Sequence, residues 1–426
     1  MVAGDILDPL IDATYKGFPH ASAPLRRSAI GAQGWNVLRG DLPLPLALIK
    51  RDVMQHNLAW MQGFAAARGV GLAPHGKTSM SPQLFARQLD AGAWGMTFAT
   101  VTQLRIGVAA GARRCLIANQ VFAESDLACI DDLLRARSDL RIIFLVDSVA
   151  QLRLIEAWRQ GHAQADAFEV LLEIGVSGGR TGCRDLPQAL ALVELLHASP
   201  AVRLVGVECY EGLAASGTTE IDRPYARHLM ELVGALAAAC DERDLFDSAE
   251  VLLSAGGSAI FDLVASDLKV QLSRPVQGLL RSGCYLTHDQ GSYKRMMSAV
   301  AARTGCGDGL QAAMEVWARV QSCPEPDLVI LAVGKRDLSY DWDMPLPLTF
   351  CSPTAQHLQT VSQDWKITAL NDQHAYLRGA KADEILHVGD LVGLGISHPC
   401  TTFDKWRWMP LVDDAYTVCD AIMTYF

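Results

Sequence analysis

From about residue 52 to 285 short apolar runs alternate with Ala- and Leu-rich helical stretches, and this alternation restricts the fold more than any other feature of the chain. The runs that read as strands are VGLAPHG, GMTFA, RCLIANQ, RIIFLVD, FEVLLEI, RLVGVECY, EVLLSAGG and PVQGLLRSG. Between them lie segments such as PQLFARQLDAGA and LPQALALVELLHAS, with apolar residues three and four apart and Gly or Ser-Pro at their exits. Such repeated βα units predict a (β/α)8 barrel of the TIM kind. An open doubly wound sheet would give a similar alternation. What favours the barrel is that polar or turn residues fall just past the strand ends, at Lys77, Thr100, Asn119, Arg180, Tyr210, Gly256 and Tyr285, on the rim where barrels carry their chemistry.

After about residue 300 the texture changes. MEVWARVQSC, DLVILAVGK, KITALNDQHAYLRG and GDLVGLGISHP alternate in the manner of strands and are separated by turn signals. They predict a smaller antiparallel β-domain, which the Pro-rich opening strand LPLPLALIKRD joins. The expected division is a barrel over 52–295 and a β-domain built from 1–51 and 296–426. No apolar run reaches the roughly 20 residues of a membrane span, and the N-terminus lacks the basic start and apolar block of a signal peptide, so a cytoplasmic location is expected. Eleven scattered cysteines without a C-x-x-C pair point to reduced thiols. A formal net charge of −10 argues against nucleic acid as the partner and in favour of a small molecule.

The stretch GVGLAPHGKTSM contains the letters of a phosphate loop, G-x-x-x-x-G-K-[ST]. Its context is wrong. A phosphate loop needs a strand before its first glycine and a helix starting at the Lys-Thr, whereas here a helical pattern precedes Gly71 and the strand lies within the motif. The alternative is a lysine in a cleft at the end of the first barrel strand. Partial desolvation there would lower its pKa and let it form a Schiff base with an aldehyde, which is the chemistry of pyridoxal phosphate.

Two further strand ends fit that cofactor. SAGGSAIFD offers Gly256, Gly257 and Ser258 as a phosphate nest after the seventh strand, and RSGCYLTHD offers Gly283, Cys284 and Tyr285 after the eighth. In GISHPCTTFDKW, His398 and Cys400 at i and i+2 of a β-like segment would face one side and reach one metal ion. Two protein ligands leave the ion open for catalysis. Thiolate with imidazole suits Zn2+, with Mn2+ or Co2+ as alternatives.

Taken in order, LALIKRDVMQHNL, PHGKT, FATVTQL, IANQV, GGRTGC, YEGL, SAGGS, GCYLTHD, NDQH and HPCTTFDKW resemble the D-serine dehydratase and D-threonine aldolase family of fold type III, alanine racemase-like pyridoxal phosphate enzymes. The resemblance runs over nearly the whole chain. It implies that Lys77 carries pyridoxal 5'-phosphate, that Arg180 faces the ring or its phenolic oxygen and Tyr210 lines it, that Gly256, Gly257, Ser258, Gly283 and Tyr285 hold the phosphate, and that His398 and Cys400 bind the metal. It departs from the family at Gly76 of PHGKT, where Ala or Val is commoner, and at NDQHA in place of Glu-Glu-His-Gly. The implied activity is a lyase acting on a D-β-hydroxy amino acid in a homodimer, with no nucleic acid or membrane partner. H-x-C resembles the dehydratases, which give a 2-keto acid and ammonia from D-serine, D-threonine, 3-hydroxyaspartate or D-glucosaminate. The alternatives are retro-aldol cleavage to glycine and an aldehyde, and a non-catalytic pyridoxal phosphate carrier, which resembles the barrel alone.

Overall fold

The computed structural model describes residues 6–162, 164–307, 309–354 and 357–426. Parallel strands covered by helices are buried on both faces, which is why the runs read as near-continuous apolar stretches. They form an eight-stranded parallel sheet: β1 (Gly71–Leu72), β2 (Met96–Phe98), β3 (Arg114–Gln120), β4 (Arg141–Val146), β5 (Phe168–Ile174), β6 (Val202–Cys209), β7 (Val251–Ala255) and β8 (Val276–Leu280). Consecutive strands pair from β2 to β8, and β8 returns to β1. Closure between β1 and β2 is irregular. Pro74 has no N–H for the ladder, so the gap is spanned by the single bridge His75–Thr97 and by Trp94 N to Leu72 O (2.7 Å) and Thr97 N to Pro74 O (2.9 Å).

Alternation along the strands separates two cores. Leu116, Ile143, Leu145, Leu171, Val205, Leu252 and Leu279 meet inside the barrel, whereas Cys115, Ile117, Ile142, Phe144, Val170 and Leu204 pack outward against the helices.

The second unit centres on the long strand Met314–Glu325, which pairs antiparallel with Leu46–Lys50, Leu328–Leu331 and Leu391–Gly395. Leu46–Lys50 is the end of the Pro-rich opening stretch. Trp408–Val412 lies parallel to Leu46–Lys50 and antiparallel to Val418–Met423. The helix Ser292–Thr304 runs across the division expected at residue 295, and the β-sheet begins only at Met314. This unit grips the barrel through several hydrogen bonds. Gln290 N donates to Ile396 O (2.9 Å), and Tyr425 N to Met80 O (3.0 Å). Among the described residues no helix is long and apolar enough to cross a membrane.

Candidate active site

A cavity of about 600 Å3 opens at the C-terminal ends of the barrel strands, within the range of roughly 300–1,000 Å3 usual for ligand sites. Lys77, Arg180 and Tyr210 line it from the barrel, as do Gly256, Gly257, Ser258 and Gly283 from the last two strand-end loops. His398 and Cys400 line it from the β-domain. Tyr285 does not. Its side chain turns inward, where the hydroxyl accepts from Gln88 Nε2 at 3.1 Å and burial raises the phenol above its ordinary range.

Lys77 sits in a single 3-10 turn, Gly76–Thr78, and the next helix begins only at Pro82. No helix starts at Lys77 and Thr78, so the phosphate-loop geometry is absent. The lysine side chain is exposed to the cavity and not desolvated as expected, because the turn carries it off the buried strand into open space. Beside it the His75 Nδ1 is buried and without a partner, and burial, then the Lys77 charge, hold that imidazole well below its usual range. The departure at Gly76 has a local reason. A Cβ there would lie 2.7 Å from the Phe98 ring and 3.0 Å from that of Phe85.

The expected phosphate nest is partly filled from within the chain. The Gly256 and Gly257 amides donate to Glu211 Oε2 and Oε1 at 2.9 and 2.6 Å. Glu211 is fully buried, and a buried carboxylate requires such partners. Ser258 Oγ accepts from Cys284 N at 3.2 Å, which leaves its own proton free to donate into the cavity. Arg180 lies over the Tyr210 ring, 5.3 Å from its centroid, and brings positive charge to the same rim.

His398 and Cys400 meet at the cavity, though not on a strand. The strand ends at Gly395, and Pro399 adopts helical angles and starts the one-turn helix Cys400–Phe403. His398 Nδ1 lies 2.5 Å from Asp341 Oδ2, and its ring stacks on Trp342 at 4.1 Å. An ionised carboxylate only accepts, so Nδ1 carries a proton toward Asp341 and Nε2 is the ring nitrogen left for a ligand. Cys400 Sγ is 3.6 Å from Thr78 Oγ1, one residue from Lys77.

Sequence reading set Cys284 beside the cofactor without its thiol partner, and missed Glu208, Arg281 and Asp341. Cys284 Sγ is 3.5 Å from Cys400 Sγ. Hydrogen bonding from Cys400 is the main cause that lowers the Cys284 thiol below its ordinary range, and the same bond pushes Cys400 up. Glu208 and Arg281 line the cavity as a buried pair, 2.7 Å apart. The guanidinium aims its N–H groups at Ser254 Oγ and Cys209 O, so no aligned hydrogen bond reaches Glu208. Burial pushes Glu208 up to about 8 against the pull of Arg281. An acid inside the apolar run RLVGVECY was the visible signal for Glu208. Nothing local marked Asp341. Among the described residues no three His, Cys, Asp or Glu side chains are gathered about one point as a metal cluster.

The family model for the alanine racemase N-terminal domain matches residues 49–266, and that for a putative serine dehydratase domain matches residues 313–412. The chain is 28% identical to a D-threonine aldolase of Arthrobacter sp over 87% of its length and 89% of the relative's. It is 36% identical to the D-threo-3-hydroxyaspartate dehydratase of Delftia sp. (strain HT23) over 58% of its length and 62% of the relative's. The solved structure of that dehydratase superposes with a TM-score of 0.72 at 25% identity, covering 92% of this chain and 99% of the other. It has also been solved as a histidine-to-alanine mutant and as a cysteine-to-alanine mutant in the metal-free form, the two positions being two residues apart.

Proposed function

The chain belongs to the alanine racemase-like family that pairs an alanine racemase N-terminal domain with a putative serine dehydratase domain, and from that premise we propose that it is a lyase dependent on pyridoxal phosphate and a divalent metal, which converts a D-β-hydroxy amino acid to a 2-keto acid and ammonia. The observation that carries this reading is that Lys77 and the His398–Cys400 pair line one cavity, linked by the 3.6 Å contact between Cys400 and Thr78.

The residues present fit both groups. The unpartnered His75 Nδ1, the exposed Lys77 amine and the Ser258 hydroxyl suit the cofactor, and His398 with Cys400 gives a nitrogen and sulfur donor set that suits zinc. When bound, pyridoxal phosphate supplies an electron sink for the carbon bearing the amine, and the metal a Lewis acid for a β-hydroxyl. Lys77 Nζ would hold the cofactor and then take the Cα proton. Tyr210 and Arg180 would bound the ring, with Ser258 and Gly283 at the phosphate. Asp341 and Trp342 would keep His398 Nε2 turned to the cavity. The same spacing of the mutated histidine and cysteine in the Delftia dehydratase supports this side of the reading. Trp342, exposed at the cavity, and the exposed Met344 and Leu346 that follow it in the chain would be covered in a homodimer.

Retro-aldol cleavage to glycine and an aldehyde would use the same residues, and the Arthrobacter relative favours it as the second reading. Assay of D-serine, D-threonine and D-3-hydroxyaspartate with separate detection of ammonia and aldehyde distinguishes the two. Ammonia is expected. Aldehyde without ammonia would establish the aldolase, and borohydride fixation of the cofactor at a lysine other than Lys77 would defeat both.

A further inference from the structure

We infer that Cys284 is a second thiolate ligand of the metal held by Cys400 and His398. This rests on the metal reading of the same site and adds a donor to it. Cys284 comes from the loop after β8 and Cys400 from the β-domain, 116 residues apart in the chain, yet their sulfurs lie 3.5 Å apart. Both line the cavity.

That separation is reached by a thiol–thiol hydrogen bond and by two ligands of one ion, but not by a disulfide. A disulfide needs about 2.05 Å, whereas two thiolates at about 2.3 Å from one tetrahedral zinc stand roughly 3.8 Å apart. The observed 3.5 Å is within a few tenths of the second value. Nor is Cys284 merely filling core space. Its backbone N–H is tied to Ser258 Oγ, and Thr78 Oγ1 lies 3.8 Å from its sulfur, so both its surroundings belong to the cavity wall.

The sulfurs are the preformed part of the site. Among the described residues the three donors are not gathered about one point, and His398 is bonded through Nδ1 to Asp341 and stacked on Trp342. Two thiolates and an imidazole leave one position open, which is the pattern of catalytic rather than structural zinc. Two soft ligands also favour Zn2+ and Co2+ over Mn2+.

The test is X-ray absorption at the zinc edge on the full-length holoenzyme, with chelator competition for zinc affinity. Two sulfur scatterers are expected in the native chain and one in Cys284→Ser or Cys284→Ala, with zinc affinity lowered at least tenfold. The native spectrum alone suffices if both variants fail to fold. One sulfur in the native enzyme, lost in Cys400→Ala, overturns the role of Cys284 and leaves the proposed function standing. No sulfur, or no zinc bound, overturns both.

Discussion

Gly283→Ala puts one methyl group where the barrel's first and last strand-end loops touch. An ideal Cβ at that position would lie 2.5 Å from Thr78 Oγ1, 2.7 Å from the His75 carbonyl oxygen and 3.0 Å from His75 Cβ. Non-bonded heavy atoms are comfortable at roughly 3.5 Å, so the carbonyl contact alone demands a displacement of about 0.5–1 Å. The Thr78 hydroxyl can rotate away, but the carbonyl cannot move alone, because it accepts from Thr78 N across the turn that bears Lys77. The turn must shift as a body. Overpacking of this kind costs about 1–3 kcal/mol, and a misplacement approaching 1 Å of a reacting group costs on the order of a hundredfold in rate. The variant should therefore unfold several degrees lower and lose about thirty- to a hundredfold in kcat. Thermal unfolding, turnover of the best D-β-hydroxy substrate and borohydride-fixed cofactor at Lys77 are the measurements. Gly63→Ala is the control. It lies inside the helix Arg51–Ala67 with nothing within 4 Å of its Cβ, and should stabilise by about 0.5–1 kcal/mol. If Gly283→Ala matches the native enzyme in both Tm and kcat, the loops yield more easily than their packing implies and the argument fails.

Removing the metal with a chelator, or Cys400→Ala, should lower ammonia release about a thousandfold or more while the cofactor stays bound, whereas Cys183→Ala should keep its metal; native turnover in chelated enzyme would make the His398–Cys400 pair structural only. Tyr285→Phe removes only the bond to Gln88, so it should cost about 0.5–1.5 kcal/mol in stability and leave cofactor affinity unchanged, and a large loss of affinity would return the tyrosine to the phosphate site. Asp289 is raised by burial from 3.8 to about 7, with its Oδ2 unpartnered. Its unfolded form loses the proton near 3.8 while the folded form keeps it to about 7, so this residue's contribution is full below about pH 4 and is lost as pH rises through 7. Asp289→Asn should flatten the stability profile across that window, and denaturant midpoints that stay parallel in the two proteins would refute the assignment.

Local pattern carried the architecture. Each barrel strand was legible because burial on both faces writes a continuous apolar run, and each strand end because a polar residue or glycine interrupts it. Lys77, Ser258 and Gly283 were found in this way, and all of them reach the cavity. Leu46–Lys50 was assigned to the second unit from its position before the first helix, and it pairs with Met314–Glu325.

Tertiary packing decided the rest. Glu211 follows Tyr210 in the sequence, but its capture of the Gly256 and Gly257 amides depends on where β7 ends relative to β6. Tyr285 adjoins Cys284, and only the turn Cys284–Leu286 sends one side chain into the core and the other to the cavity. His398 and Cys400 keep company despite leaving the strand at Gly395, because Pro399 cannot extend a ladder and starts a helical turn instead. The contacts of Cys284 with Cys400 and of His398 with Asp341 span 116 and 57 residues. A sequence records the periods of 2 and 3.6 that set which face of an element is buried. It does not record which loops from two separately wound sheets come to rest against each other, and that meeting is fixed only when the β-domain closes over the barrel rim.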